Sequence, residues 1–453
     1  MRKWTKMLFC ALAFVFSAHA FVGCNDNKSF EKNFVILEYK DDVQMMIGGF
    51  TAPFHRFMDE GEAWGKAFTE CAEIGLTLLI PDSFQMDFES DPTRAMELMD
   101  HAYNAGLKVL VQDRSLGVPH LGRDVIDNDK WNTAQAAEYT RHPAFYGLHF
   151  MDEPWRDKFE PLAAKAKKWK AEFPDKKLVT TLLPSYAGET MLGGTFRDYV
   201  NDFIDIAQPE ILQFDFYPFR EGAEKYFQDH ALIRQTAKDA GIPAAAFVLT
   251  SGHAAYKRNL SAADLRWEMA VLMAFGFSSI SHYAIDPPYN GYDRFYSDDG
   301  ERNELWYNVQ TVNREVLKWD HVYLRFADGW KGTAALVAPG GVNNMIDGID
   351  DGIKDGRIEP DEIDGIESIS TTGDILLGVF EDANKNKGFM LTNAAKPDRE
   401  INLWTEVQFS SEYKGALIYE RGEPKVIELD KDGKAVISLE FGEGKFIIPL
   451  KGR

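Results

Sequence analysis

At 453 residues, 45% hydrophobic and 13% aromatic, the chain has enough apolar mass for a large core, which excludes a disordered or low-complexity protein. A net charge of −21 repels phosphate backbones, so no nucleic acid partner is expected, and polyanionic glycans are disfavoured too. Three cysteines, two of them within the first 24 residues, exclude a disulfide framework.

Arg2, Lys3 and Lys6 precede an apolar run over 7–18, and Phe21-Val-Gly-Cys24 resembles a bacterial lipobox. The expectation is a signal peptide over 1–23, acylation of Cys24, and a cell-envelope location in which the membrane is met only through the lipid. A secretory signal cut after Ala20 is the alternative. Residues 24–40 read as a spacer, and loss of the three leader cations takes the charge from −21 to −24.

Apolar, β-rich runs then recur at 44–50, 76–80, 107–111, 145–150, 177–183, 211–216, 244–249 and 278–283. Their centres are spaced by roughly 31 to 38 residues, one strand plus one crossover helix each. Helical periodicity fills the gaps at 61–74, 91–105, 132–141, 158–173, 224–240 and 262–276, several ending in a glycine such as Gly75, Gly106 or Gly241. Eight such units predict a (β/α)8 barrel over 41–322, closed by a helix at 305–319; an open doubly wound sheet is the alternative.

From 323 to 453 the runs become short and alternating, which predicts an all-β sandwich-like domain, with Asp432-Gly433 as a hairpin turn. An Asp/Gly-rich insertion lies at about 340–370. Within it Asp351, Asp355, Glu359 and Glu362 have the spacing of a calcium loop, although Ile353 occupies a ligand position. The insertion is either a solvated acidic loop or a structural calcium site; no other cofactor is required.

Polar and aromatic residues collect at the C-terminal ends of the strands, the face where barrels of this type carry chemistry. Strand four ends Met151-Asp152-Glu153-Pro154-Trp155, strand six Asp215-Phe-Tyr217 and strand seven Thr250-Ser-Gly-His253. Asp113 follows strand three, and His282, Tyr283 and Asp286 close strand eight. Carboxylates interleaved with aromatic rings, without clustered histidines, a phosphate loop or a serine elbow, suit a carbohydrate. Each residue also has a structural reading: Asp152 as a helix cap, Asp215 as a buried acceptor, Trp155 and Tyr217 as packing, His149 as a satisfied core histidine, and Asp113 paired with Arg114.

Gly147-Leu-His-Phe-Met-Asp152-Glu153-Pro154 resembles the Asn-Glu-Pro or Asp-Glu-Pro element of clan-A (β/α)8 glycoside hydrolases, and Gly276-Phe-Ser-Ser-Ile-Ser-His-Tyr283 their barrel-closing segment. The resemblance implies a glycosidase with Glu153 as general acid/base, its pKa raised by burial and by Asp152. Asp215 is the leading second carboxylate, ahead of Asp286; Trp155, Tyr217, Asp113, His253, His282, Tyr283 and Asp286 are expected substrate contacts. The family's nucleophile, a Glu ending strand seven, is missing here. That leaves room for two alternatives: a substrate-assisted N-acetylhexosaminidase-type reaction using Asp152 and Glu153, and a glycan-binding lipoprotein on a degenerate barrel.

Overall fold

The computed structural model of the protein describes residues 33–58, 63–82, 85–220, 223–252, 259–287, 291–337, 341–342 and 363–453. Eight parallel strands close a barrel: β1 (Met46–Phe50), β2 (Leu78–Ile80), β3 (Lys108–Val111), β4 (Phe145–Asp152), β5 (Lys177–Leu182), β6 (Leu212–Asp215), β7 (Ala244–Leu249) and β8 (Ser279–Tyr283), with β8 pairing back onto β1. Every apolar run is a strand. Burial on both faces makes each one continuously hydrophobic, which is why the runs stand out.

Around the barrel lie α1 (Trp64–Glu73), α2 (Pro92–Asn104), α3 (Ala136–Tyr139), α4 (Phe159–Glu172), α5 (Glu189–Leu192), α6 (Phe196–Ala207), α7 (Tyr226–Asp239), α8 (Ala262–Ala274), α9 (Glu304–Leu317) and α10 (Asp320–Ala327). α3 keeps only one turn of the helix expected at 132–141. α6, not anticipated from periodicity, opens with a capping box in which Thr195 and Asp198 satisfy each other's backbone N–H, and it buries Phe196, Tyr199, Val200 and Phe203.

Phe50, Leu78, Ile80, Leu110, Val179, Phe247 and Leu249 fill the barrel interior. A polar chain crosses it. Gln112 Nε2 donates to His149 Nδ1 at 3.1 Å, His149 Nε2 bonds Thr181 Oγ1 at 3.0 Å, and Gln213 Nε2 reaches the same hydroxyl at 2.8 Å. Burial pushes the His149 pKa down to about 3, so this ring is neutral, a satisfied core histidine.

The second module holds two antiparallel sheets around their own apolar core of Leu377, Phe389, Val407 and Ile437, among others. In the larger sheet β9 (Trp330–Val337), β12 (Ile375–Glu381), β13 (Lys387–Asn393), β18 (Gly444–Lys451), β15 (Tyr413–Glu420) and β16 (Glu423–Glu428) are neighbours in that order, with β10 (Gly341–Val342) at the β9 edge. β11 (Ile366–Thr371), β14 (Leu403–Phe409) and β17 (Lys434–Leu439) form the smaller sheet. The Asp432-Gly433 turn exists, with Gly433 at φ 77°, yet it does not join a hairpin. β16 pairs with β15 and β17 with β14, so the turn carries the chain from one sheet to the other.

α8 is clamped between barrel and sheet. Every residue from Asp264 to Ala274 except Arg266 is buried, and a helix this apolar on all sides must be covered on all sides. Trp267 Nε1 donates to Asn393 O at 2.9 Å and Trp330 Nε1 to Ala274 O at 3.1 Å. Gly378 makes the close approach possible: a Cβ there would stand 2.2 Å from Ala274 O. Gly378→Ala is therefore expected to lower stability by about 1–3 kcal/mol in urea unfolding, because backbone must move against backbone.

Candidate active site

β4 ends in Asp152, and Glu153 leaves the strand at φ 50°, a left-handed conformation that side-chain-bearing residues seldom adopt. It is held there from two directions. Residues 120–122 of the loop after β3 run beside the strand end: Asp152 N donates to His120 O at 2.9 Å, and Gly122 N to Asp152 O at 2.6 Å. From the other side, Glu153 N donates to Thr181 O of β5 at 2.8 Å. Gly122 has no room for a side chain, since a Cβ would fall 1.9 Å from Glu153 O. Tyr199 OH then donates to Pro154 O at 2.6 Å and fixes the chain just past the acid.

Asp215, only 7% exposed, ends β6 and brings its carboxyl into hydrogen-bonding contact with that of Glu153. Burial, and then the Glu153 charge, holds Asp152 well above the ordinary carboxylate range. Asp215 is raised well above it too, by burial and by the charges of Glu153 and Asp152. Burial lifts Glu153, partly offset by its bond to Asp215. Three like charges in one desolvated pocket cannot all persist, so the cluster keeps protons where isolated carboxyls would lose them. Chemically the Glu153–Asp215 pair is two carboxyls that can hold a proton between them.

Aromatic rings continue the lip. Tyr217 stacks on Tyr283 with centroids 5.1 Å apart and planes at 27°; Tyr283 meets Phe50 at 5.7 Å, and Phe50 stacks on His120 at 5.7 Å and 25°. Tyr283 OH bonds Tyr292 OH at 3.1 Å. This row runs from β6 through β8 and β1 to the loop after β3. Phe50, His120, Tyr199 and Gly122 have no signal in the sequence: Phe50 is one more apolar residue on an apolar strand, Tyr199 sits on a helix that the periodicity does not predict, and loop residues have no periodicity to give them away.

Of the expected site residues, the fold gathers Asp152, Glu153, Asp215, Tyr217 and Tyr283. Asp286 follows β8, on the opposite side of the barrel from β4, and accepts from Arg56 N at 3.4 Å; burial raises its pKa against the pull of Arg56. Trp155 packs against the core. Two expected contacts are corrected. Asp113 accepts from Ser115 N and from Tyr139 OH, both at 2.9 Å, so its carboxyl is spent on holding its own loop; Arg114 pairs with Asp87 at 2.8 Å and not with Asp113. His282 is fully buried, with Nδ1 on Thr250 Oγ1 at 2.7 Å and Nε2 on Asn313 Oδ1 at 2.8 Å, and ties the barrel wall to α9. Cys24, His253, Asp351, Asp355, Glu359 and Glu362 lie outside the described residues. Among the described residues no group of three His, Cys, Asp or Glu side chains could hold a metal ion.

No protein-family model and no curated protein matches the chain. Solved structures align with it. A Bacteroides fragilis protein proposed to be an α-galactosidase aligns with a TM-score of 0.51 at 9% identity, over 90% of this chain and 80% of that one. A catalytic mutant of a β-galactosidase from G. stearothermophilus aligns at 0.48 and 10%, over 92% and 99%. The cold-adapted β-galactosidase from Rahnella sp. R3 gives 0.49 and 11%, over 64% of this chain and 59% of that one. At such identities the likeness is one of fold.

The raised carboxyls make a stability prediction whose sign is fixed. Because their folded pKa values exceed the unfolded ones, folding takes up protons, so their contribution is complete at low pH and is lost as pH rises through the folded values. The double variant Glu153→Gln/Asp215→Asn should therefore be more stable than the wild type at pH 8, by about 1–2 kcal/mol, and the gap should close toward pH 4. Thermal melts of both proteins across that range test this. A gap that stays constant with pH would refute it. Gly122→Ala should cost about 1–3 kcal/mol by displacing the loop from Glu153.

Proposed function

We propose that the chain is a glycoside hydrolase acting on a poly- or oligosaccharide, with Glu153 as general acid/base. The observation that carries this is the cluster of Asp152, Glu153 and Asp215 at the C-terminal lip of the barrel, beside the row of Tyr217, Tyr283 and Phe50. A carboxyl held protonated can deliver its proton to a glycosidic oxygen, and aromatic faces suit sugar rings. Asp215 is the second carboxylate in the sense that it shares the proton of Glu153 and sets when it is released. Burial is what lifts the acid, and the Glu153 charge in turn lifts Asp152. Acylation of Cys24 would hold such an enzyme at the cell envelope, next to polymers too large to enter.

The hydrogen-bonding contact between Glu153 and Asp215 supports a particular mechanism. Two carboxylates that flank a sugar stand about 5 Å apart in retaining enzymes and about 6.5–9.5 Å apart in inverting ones. Carboxyls in contact with one another lie on the same side of the scissile bond. β7 offers Thr250 and Ser251 after Leu249, and no carboxylate. A nucleophile supplied by the substrate's own 2-acetamido group fills that gap, which favours the substrate-assisted N-acetylhexosaminidase reading; Asp286, across the mouth, is the base available for a water-dependent inversion. The same empty β7 position favours, as a second reading, a barrel that binds glycans without cleaving them.

A panel of aryl glycosides and oligosaccharides, including N-acetylhexosaminides, separates these readings. Glu153→Gln should lower turnover by about 10²–10⁴-fold while saccharide binding persists. The first-formed anomer, read by NMR, should be retained if the acetamido group participates. Wild-type-like turnover in Glu153→Gln removes the assignment. Saturable binding without turnover by the wild type establishes the non-catalytic barrel.

A further inference from the structure

Behind the strand-four lip lies a small cavity with room for the centre of a water-sized sphere over about 10 Å3, the size one water molecule requires. Three of the residues that line it, Gln112, Arg114 and His120, each have one buried polar atom without a hydrogen-bond partner: Gln112 Oε1, Arg114 Nε and His120 Nδ1. Gln112 is 5% exposed, and its other amide atom, Nε2, is already engaged with His149. Arg114 reaches Asp87 through a different nitrogen. Buried polar atoms without partners each cost about 1–3 kcal/mol, and three of them on residues that line one cavity are not expected to stay unmet.

Their chemistry is complementary. Arg114 Nε–H can only donate and Gln112 Oε1 can only accept. A molecule between them must both accept and donate, and a water that accepts from Arg114 and donates to Gln112 keeps one hydrogen for His120 Nδ1. Donating that hydrogen uses both hydrogens of the water and requires a lone pair on Nδ1, which puts the ring proton on Nε2. Burial lowers the His120 pKa, in keeping with a neutral ring. The ring stacks on Phe50, in the aromatic row of the lip.

We propose that one water bound by Gln112 Oε1, Arg114 Nε and His120 Nδ1 fixes His120 as the Nε2–H tautomer, and that this N–H is a hydrogen-bond donor to a substrate hydroxyl at the barrel mouth. The second half rests on the glycosidase reading; the first half does not. His120 is joined to the residue just before the acid, since its carbonyl accepts from Asp152 N. The loop that carries this donor thus also positions the carboxyls.

The test uses the full chain. A high-resolution crystal structure should show one water within about 3.2 Å of all three atoms. ¹⁵N spectra, with the His120 signals identified by their loss in His120→Gln, should show a protonated Nε2 and an unprotonated Nδ1. An empty cavity, or a proton on Nδ1, overturns the proposal. For the substrate contact, His120→Gln places an amide N–H near the Nε2 position, whereas His120→Asn places it near Nδ1. His120→Gln should hold the KM, or the Kd for an oligosaccharide, within about threefold, and His120→Asn should raise it tenfold or more, about the 1.4 kcal/mol expected of a hydrogen bond. Equal effects of the two variants overturn the contact. If the wild type neither cleaves nor binds any saccharide, the glycosidase reading and the hydroxyl contact fall together, while the water and the tautomer are still decided by the density and the nitrogen shifts.

Discussion

Three carboxyl groups, Asp215 buried and Asp152 and Glu153 half-buried, meet at the rim of this barrel, and their mutual repulsion governs the structure around them. Asp152 and Glu153 are adjacent in sequence, and Asp215 arrives from β6 to meet them. Burial and the neighbouring carboxyls are what act on the three groups, and the charge is relieved by retaining protons. A fold optimised only for stability would not assemble such a group. The unusual backbone at Glu153 points the same way: a left-handed glutamate, kept in place by hydrogen bonds to the flanking strand and from Tyr199 to the next residue, is a local cost carried by the surrounding framework.

That framework is stiff where the pocket needs it. The chain of Gln112, His149, Thr181 and Gln213 crosses the barrel just beneath the lip and links four consecutive strand positions. Thr181 contributes twice, with its hydroxyl in this chain and its carbonyl on Glu153 N. The loop after β3 is tied down by Lys165 of α4, whose ammonium lies against the carbonyls of Leu116 at 3.0 Å and of Lys130. The second module joins in as well, because Lys396 reaches Pro218 O at 2.8 Å, three residues beyond Asp215.

The barrel was legible because strands covered on both faces are apolar throughout, and glycines at helix ends mark the return to the sheet. Asp152, Glu153 and Asp215 were legible because a carboxylate at the end of such a strand has few reasons to be there. What escaped depends on which way a side chain points. His282 and Tyr283 are neighbours at the end of β8, yet one faces α9 and the other the aromatic row; a shift of one residue exchanges them, and composition does not fix that parity. Asp113 resembled Asp152 in sequence, but Tyr139, from a helix shorter than expected, claims its carboxyl. The Asp432-Gly433 turn was visible as a turn; which strand each arm would pair with is a long-range matter that two turn residues cannot encode.

α8 has a consequence for how the molecule can be divided. Its sequence offers water no polar side, because one flank belongs to the barrel and the other to β12, β13 and β18. Cutting the chain after the eighth unit would leave an oily rod on the outside of the remaining cylinder, an adhesive surface that invites clumping. The two halves are thus modules in appearance only, and the smaller one acts as the lid that keeps the larger one dispersed.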